Sequence, residues 1–383
     1  MSGRANAYRL TIAYFGAFVF LGLTTGSLGP TLTSLADQTQ VGISAISYVF
    51  TARSAGYLFG SVLSGKLFDR RAGNPIMAAM LFIMSVMMAL VPLAPTLWLL
   101  LITMLLLGAA ESGLDVGANT LLGWVHGAKV GPFMNAMHSV FGVGALIAPL
   151  IVAQTVSLNL PALRSYLFLA LLLMPVSLVF LRLPSPIATA QTAAREHAAA
   201  KSRQVFLFAF FLFLYVGAEV GFAGWIYTYA TTLRLSDVNT AAYLTSLFWG
   251  ALTLGRMLTI PIAVRTSPES VLISSLAACL LSLALILASP NSFTAVLLGT
   301  FCLGVSMAPI FPTTLSLAGR RMKLTGNVTG WFIVAASGGA MLIPLIIGHA
   351  LPFVGPQVVM TITATTLLIA TNVMVCIRKI HTT

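Results

Sequence analysis

The side chains most able to do chemistry here are ionisable groups set inside long apolar stretches: Arg53, Glu111, Asp115, Glu219 and Arg256. Such groups are costly in an apolar setting and mark function by default. Glu111, Asp115 and Asn119 are spaced i, i+4, i+8, which puts them on one face of a helix along a stripe of ~12 Å. Two carboxylates one turn apart repel when both are ionised, so the pair is suited to taking up and releasing a proton. A structural pair, neutralised by Arg53 or Arg256, is the competing reading, with Arg53 the candidate partner of Glu111. Glu219 shares its side of a helix with Tyr215 and Phe222. A carboxylate beside aromatic rings suits a sugar, accepting hydroxyl hydrogen bonds while the rings cover apolar sugar faces. It suits a cation equally, through charge and cation–π contacts. Trp225, Tyr227, Tyr229 and Trp249 follow in the same region, where membrane-interface anchoring competes with solute contact. Arg256 either pairs with a carboxylate or holds a gate. His138 is read as a structural hydrogen bonder or a proton relay.

These groups need elements that carry them through a bilayer. The chain has 383 residues, of which 58% are hydrophobic and only 7% charged, with a mean hydropathy of +0.98. A soluble domain is about 25% charged, so no water-soluble surface can be built from this composition. Apolar stretches of about 20 residues recur along the whole chain, the length a helix needs to span a membrane. Twelve such helices are predicted, each with a short connection. Residues 1–34 are read as the first helix rather than a signal peptide, because the apolar run is long and no soluble domain follows.

The net charge of +12 invites a nucleic-acid partner, but its distribution excludes one. With the N-terminus inside, most Lys and Arg fall in the inner loops, among them Arg70, Arg71, Lys129, Arg320, Arg321 and Arg378. That is the positive-inside bias, and it places both termini in the cytoplasm. Cys279, Cys302 and Cys376 all lie in apolar spans and form neither a disulfide framework nor a metal-ligand spacing. No nucleophile–base pairing or phosphate loop appears, so neither an enzyme nor a bound cofactor is expected. A coupling ion, a proton or sodium, is the only inorganic partner implied.

The chain also repeats itself at an offset of about 195 residues. Gly22, Gly26 and Gly29 reappear as Gly217, Gly221 and Gly224, Gly144 as Gly339, and Pro149 as Pro344. The predicted organisation is a six-helix bundle over 1–183, a polar cytoplasmic linker over 184–203 and a second six-helix bundle over 204–383. Six is even, so the halves are parallel repeats about an axis along the membrane normal, the arrangement of major-facilitator transporters. Small residues at fixed spacing permit close helix contact in lipid, and the prolines kink their helices. What repeats is therefore packing. Asp69, Glu111, Asp115, Glu219 and Arg256 do not repeat and carry the function.

The loop GKLFDRRAGN (65–74) resembles the major-facilitator signature between helices 2 and 3, departing from it by one residue at Ala72. That resemblance implies that Asp69 and Arg70 gate the outward-open state, and a carboxylate is favoured at a helix N-terminus. GPTLTSLAD (29–37), ESGLDVGAN (111–119), HSVFGVGALIAPL (138–150), LYVGAEVGFAGWIYTYA (214–230) and FWGALTLGR (248–256) resemble the sodium-dependent glucose transporter family of the major facilitator superfamily. They are similar, more distantly, to the fucose–galactose–glucose:proton symporters. In those symporters helix 4 carries a coupling acid four residues before an Asn, which Asp115 and Asn119 match. Their helix 1 carries a second acid, and none lies in helix 1 here.

The resulting expectation is an all-α integral membrane transporter, monomeric, of the plasma (inner) membrane. It would move a sugar or sugar-like polar solute by alternating access, driven by a proton or sodium gradient. Asp115 and Glu111 would couple the ion. Glu219, Asn119, Trp225 and Tyr215 would contact the solute, and Asp69, Arg70, Arg256 and Arg53 would gate. A drug:proton antiporter is the alternative, since 16 Met and 23 Phe allow an adaptable apolar pocket.

Overall fold

Helices that are apolar all round meet lipid or protein on every side and satisfy their backbone internally. A computed structural model of the protein describes residues 2–68, 70–186, 203–322 and 326–379, and such helices dominate it. In chain order they are α1 (Ser2–Gln38), α2 (Ile43–Ile46), α3 (Tyr48–Phe68), α4 (Gly73–Leu90), α5 (Leu97–His126), α6 (Gly131–Ser157) and α7 (Arg164–Leu181). There follow α8 (Arg203–Thr232), α9 (Val238–Arg265), α10 (Pro268–Ala288), α11 (Phe293–Met307), α12 (Ile310–Arg321), α13 (Gly326–Val354) and α14 (Val358–Lys379). Among the described residues 10 helical stretches are long and apolar enough to cross a membrane, with α11 and α12 forming one of them. Helices α3 and α9, of 21 and 28 residues, lie outside that set. Helix α3 carries Arg53 among glycines and hydroxyl residues, which lowers its hydropathy.

The chain forms two compact units: Met1–Gly42 with Ala52–Ala193, and Ile43–Thr51 with Ala194–Thr383. In the first, α1 packs along α6, and a Cβ on Gly22 would run into the Phe141 carbonyl, one on Gly144 into the Val19 carbonyl. Likewise a Cβ on Gly56 of α3 would meet the Leu105 carbonyl, and one on Gly108 of α5 the Arg53 carbonyl. Without a hydrophobic force between helices in lipid, such close backbone approach supplies the packing energy. The second unit uses the same device: Gly339 of α13 abuts the Phe213 carbonyl of α8, and Gly304 of α11 abuts the Phe248 carbonyl of α9.

Two features depart from the sequence expectation. Helix α1 runs on to Gln38 and so takes in one acid, Asp37, which is exposed at its end. The tenth predicted span is also interrupted: α11 stops at Met307 and α12 starts at Ile310. Prolines at 309 and 312 lack an N–H, so the carbonyls of Val305 and Ala308 lose their i+4 donors and the ladder stops there. The polar linker expected over 184–203 lies almost wholly outside the described residues, as does Asp69.

The segment Ile43–Thr51 is built into the second unit. Its Ser44 hydroxyl donates to the Gly348 carbonyl (3.3 Å) and its Thr51 hydroxyl to the Met341 carbonyl (3.3 Å). The Phe50 ring covers Gly224 and lies 5.9 Å from the Trp225 ring, while Ser47 covers Gly348. Both glycines are needed for this fit, since a Cβ on either would strike the side chain above it.

Candidate functional site

The first unit holds a two-rung polar ladder between α3 and α5. Arg53 and Tyr57 are one turn apart on α3, and Glu111 and Asp115 are one turn apart on α5. The upper rung is a fork-on-fork ion pair: Arg53 Nε donates to Glu111 Oε2 at 2.8 Å and Nη2 to Oε1 at 2.7 Å. Glu111 is 2% exposed and Arg53 15%. Nη2 also donates to Thr25 Oγ1 of α1 at 3.1 Å. The lower rung is a short hydrogen bond from the Tyr57 hydroxyl to Asp115 Oδ2. Asn119 Nδ2 donates to the other carboxylate oxygen at 2.8 Å. The two carboxylates thus face different partners: Glu111 a fixed guanidinium, Asp115 two neutral donors with the titratable His138 near enough for its charge to act. A half-buried carboxylate whose direct donors are neutral keeps a net charge that a cation or a proton can answer, whereas a bidentate guanidinium already answers it.

The expected face Glu111–Asp115–Asn119 is present, and Arg53 is the partner of Glu111. Sequence reasoning missed Tyr57. The signal was available: Arg53 and Tyr57 repeat on α3 the four-residue spacing that Glu111 and Asp115 have on α5. It also missed the Tyr166 hydroxyl of α7, 2.9 Å from Thr31 Oγ1 of α1. Tyr166 is fully buried and near enough to Arg53 and Glu111 for their charges to act on it. His138 is exposed on α6, its ring edge-on to Phe18 at 5.3 Å, and its charge reaches Asp115.

The second unit holds a separate centre on α8 and α9. Glu219 hydrogen-bonds the Tyr215 hydroxyl one turn before it, and the charge of Arg256 acts on its carboxylate. The one hydrogen of that hydroxyl is shared between the carboxylate and the Met307 carbonyl, 2.9 Å away at the break between α11 and α12. Glu219 and Arg256 are half-buried, and Tyr215 is fully buried.

Trp225 does not stand free for a solute. It is fully buried, and its indole N–H donates to the Pro344 carbonyl at 3.0 Å. Nor are Tyr227, Tyr229 and Trp249 interface anchors. All are buried: Tyr227 and Tyr229 because α8 is flanked by α9, α13 and α14, and Trp249 on α9 with its ring edge-on to Phe248 at 5.6 Å. Arg70 is exposed in the turn after α3, and its proposed partner Asp69 lies outside the described residues. Among the described residues no three His, Cys, Asp or Glu side chains converge as metal ligands.

Residues 14–344 match the sequence model of the Major Facilitator Superfamily. The chain is 30% identical to the sodium-dependent glucose transporter 1A of Mus musculus, over 87% of this chain and 88% of that protein. It is 31% identical to the sodium-dependent glucose transporter 1 of Homo sapiens, over 87% of this chain and 71% of that one. Among solved structures, a mutant form of the nucleoside transporter NupG superposes with a TM-score of 0.80 at 18% identity, over 97% of this chain and 99% of the other. A bacterial homolog of the lysosomal transporter Spinster does so with a TM-score of 0.74 at 13% identity, over 97% of both. These two likenesses show the fold. The protein is a multi-pass, all-helical membrane transporter of the major facilitator superfamily, and within it a relative of the sodium-dependent glucose transporters.

Proposed function

We propose that the protein is a symporter that moves a sugar or sugar-like polar solute by alternating access, coupled to a proton or sodium gradient. The observation that carries this reading is the division of labour on the α3–α5 ladder. Glu111 is neutralised by Arg53, while Asp115 accepts from Tyr57 and Asn119 and meets the titratable charge of His138 rather than a guanidinium. Asp115 is the ion-coupling group, and Glu111 with Arg53 fixes the helix pair that presents it. Glu219 receives the solute's hydroxyls, and Asn119 is a further polar contact. Tyr215 and Trp225 position α8 rather than touch the solute. Asp69 and Arg70 form the cytoplasmic latch.

The names of the glucose-transporting relatives support a sugar and a sodium ion. In this reading α3 and α9 cross the bilayer as well, which makes twelve spans in two parallel six-helix repeats. Both termini are cytoplasmic, and the protein works as a monomer in the plasma (inner) membrane without a cofactor. The test is uptake of labelled D-glucose by proteoliposomes under an imposed sodium gradient, a pH gradient or neither. Accumulation above equilibrium under one gradient supports the proposal. Equilibration without accumulation removes the coupling. Transport of lipophilic cations with no sugar uptake replaces it with a drug:proton antiporter.

A further inference from the structure

Arg256 carries an unmet hydrogen bond. Its Nε is sealed from solvent and has no acceptor. Elsewhere among the described residues the comparable atoms are oxygens, such as the hydroxyls of Ser112, Thr228 and Thr245. A hydroxyl can rotate toward a carbonyl of its own helix, but Nε–H is fixed in the guanidinium plane. A buried donor left unmade costs more than a formed bond gains, more still on a charged group. Gly255, just before Arg256, is the residue whose bare Cα lets the Val305 carbonyl of α11 approach. That carbonyl has no i+4 donor, because residue 309 is proline. Across from α9, Glu219 offers a carboxylate on which the charge of Arg256 acts.

We infer that Arg256 is a solute-binding residue: its Nε–H donates to one oxygen of a vicinal diol whose neighbouring hydroxyl donates to Glu219. The inference rests on the reading above that Glu219 meets the solute. Charge selects the class. A lipophilic cation has no acceptor for Nε and is repelled by the guanidinium. An anion satisfies Arg256 but is repelled by Glu219. A neutral ring with adjacent hydroxyls offers one donor and one acceptor on neighbouring carbons, and satisfies both groups with no net charge transfer. Arg256 is therefore a specificity determinant for polyhydroxylated solutes rather than a gate residue.

The test uses the purified full-length protein in detergent and equilibrium binding of labelled D-glucose, displaced in turn by each monodeoxyglucose and by tetraphenylphosphonium. Removing one hydroxyl of the recognised pair is expected to weaken binding about tenfold to a hundredfold, the range for a hydrogen bond to a charged group. Arg256→Lys keeps the charge but loses the fork. It is expected to bind D-glucose more weakly by the same factor and to stop discriminating against that deoxy analogue. Unchanged affinity, or unchanged discrimination, in Arg256→Lys overturns the inference and leaves the sugar reading intact. Should the variant fail to fold, the unmodified protein still decides. D-Glucose is expected to protect Arg256 from phenylglyoxal, read by peptide mass spectrometry, and equal modification with and without sugar overturns the inference. A wild-type protein that binds none of the sugars overturns the sugar reading itself.

Discussion

Arg53 and Glu111 meet through two parallel hydrogen bonds of 2.8 and 2.7 Å, one turn before Tyr57 and Asp115 meet on the same pair of helices. The ladder is regular because α3 and α5 run side by side with Gly56 and Gly108 drawn against each other's carbonyls. With backbones that close, a four-residue step on one helix matches a four-residue step on the other.

Breaking the upper rung from one side leaves a buried charge without its partner. Glu111→Gln is expected to destabilise the protein by about 3–5 kcal/mol, read as thermal unfolding in detergent. The double variant Arg53→Met with Glu111→Leu is expected to regain most of that stability, because an apolar pair of similar size has no charges to desolvate. Solute uptake by the double variant separates the roles: transport at the wild-type rate would show that the pair serves folding alone.

The lower rung is expected to behave differently. Asp115→Asn keeps the shape and the hydrogen bonding of the site but removes the charge. Sugar exchange across proteoliposomes should persist, while accumulation against a gradient should vanish. Tyr57→Phe removes one donor to a charged group, a loss of about tenfold or more, and is expected to slow gradient-driven uptake by that factor. If Asp115→Asn accumulates solute normally, the coupling ion is handled elsewhere.

Glycine contacts provide an internal control on packing. A methyl on Gly56 meets the Leu105 carbonyl, whereas a methyl on Gly16 of α1 meets nothing within 4 Å. Gly56→Ala is expected to cost about 1–3 kcal/mol, the usual range for overpacking. Gly16→Ala should unfold at the wild-type temperature or slightly above it. Equal melting of the two variants contradicts the packing account.

Asp237 lies in the turn before α9, outside the spans, and accepts a hydrogen bond from the Thr240 amide at 2.7 Å. Hydrogen bonding by the Thr240 side chain, and then by this amide, holds its carboxyl below the ordinary aspartate value. A depressed pKa lends stability that is present above the unfolded-state value and disappears as pH falls through the folded-state one. Amides at the start of α9 should therefore stay protected from hydrogen exchange near neutral pH. They should lose protection only below the ordinary aspartate range of ~3.9. Asp237→Ala should lack this protection at every pH, and a wild-type profile in that variant argues against the cap.

Ser47 is fully buried against Gly348. The variant Ser47→Cys, in a background without Cys279, Cys302 and Cys376, is expected to resist maleimide. Adding Gly348→Val should expel the thiol and make it reactive. Labelling unaffected by Gly348→Val means that the segment is held by something other than this fit.

Much of this was legible in the sequence, for physical reasons that can be named. Composition and apolar run length announced a membrane chain because lipid tolerates few charges. The repeated glycines announced the seams α1–α6 and α8–α13 because only a missing side chain permits that approach. Glu111 and Arg53 could be matched because an unpaired charge in lipid is too costly to leave. Tyr57 was passed over because its four-residue spacing from Arg53 gains meaning only when set beside the same spacing of Glu111 and Asp115. Trp225, expected to contact the solute, is buried with its indole on the Pro344 carbonyl, a placement that residue type alone does not reveal. The break after Met307 needed the two prolines to be counted against the carbonyls four residues back, which a hydropathy profile averages away.

The placement of Ile43–Thr51 bears on how the protein can be taken apart. If the polypeptide were severed between residues 187 and 202, the first fragment would carry an arm belonging to the second fragment's fold. The two pieces would be joined by donation of that arm, through Phe50 on Gly224 and Ser47 on Gly348. The second fragment lacks a part of its own fold that only the first can supply, and co-expression of both becomes a route to reassembly.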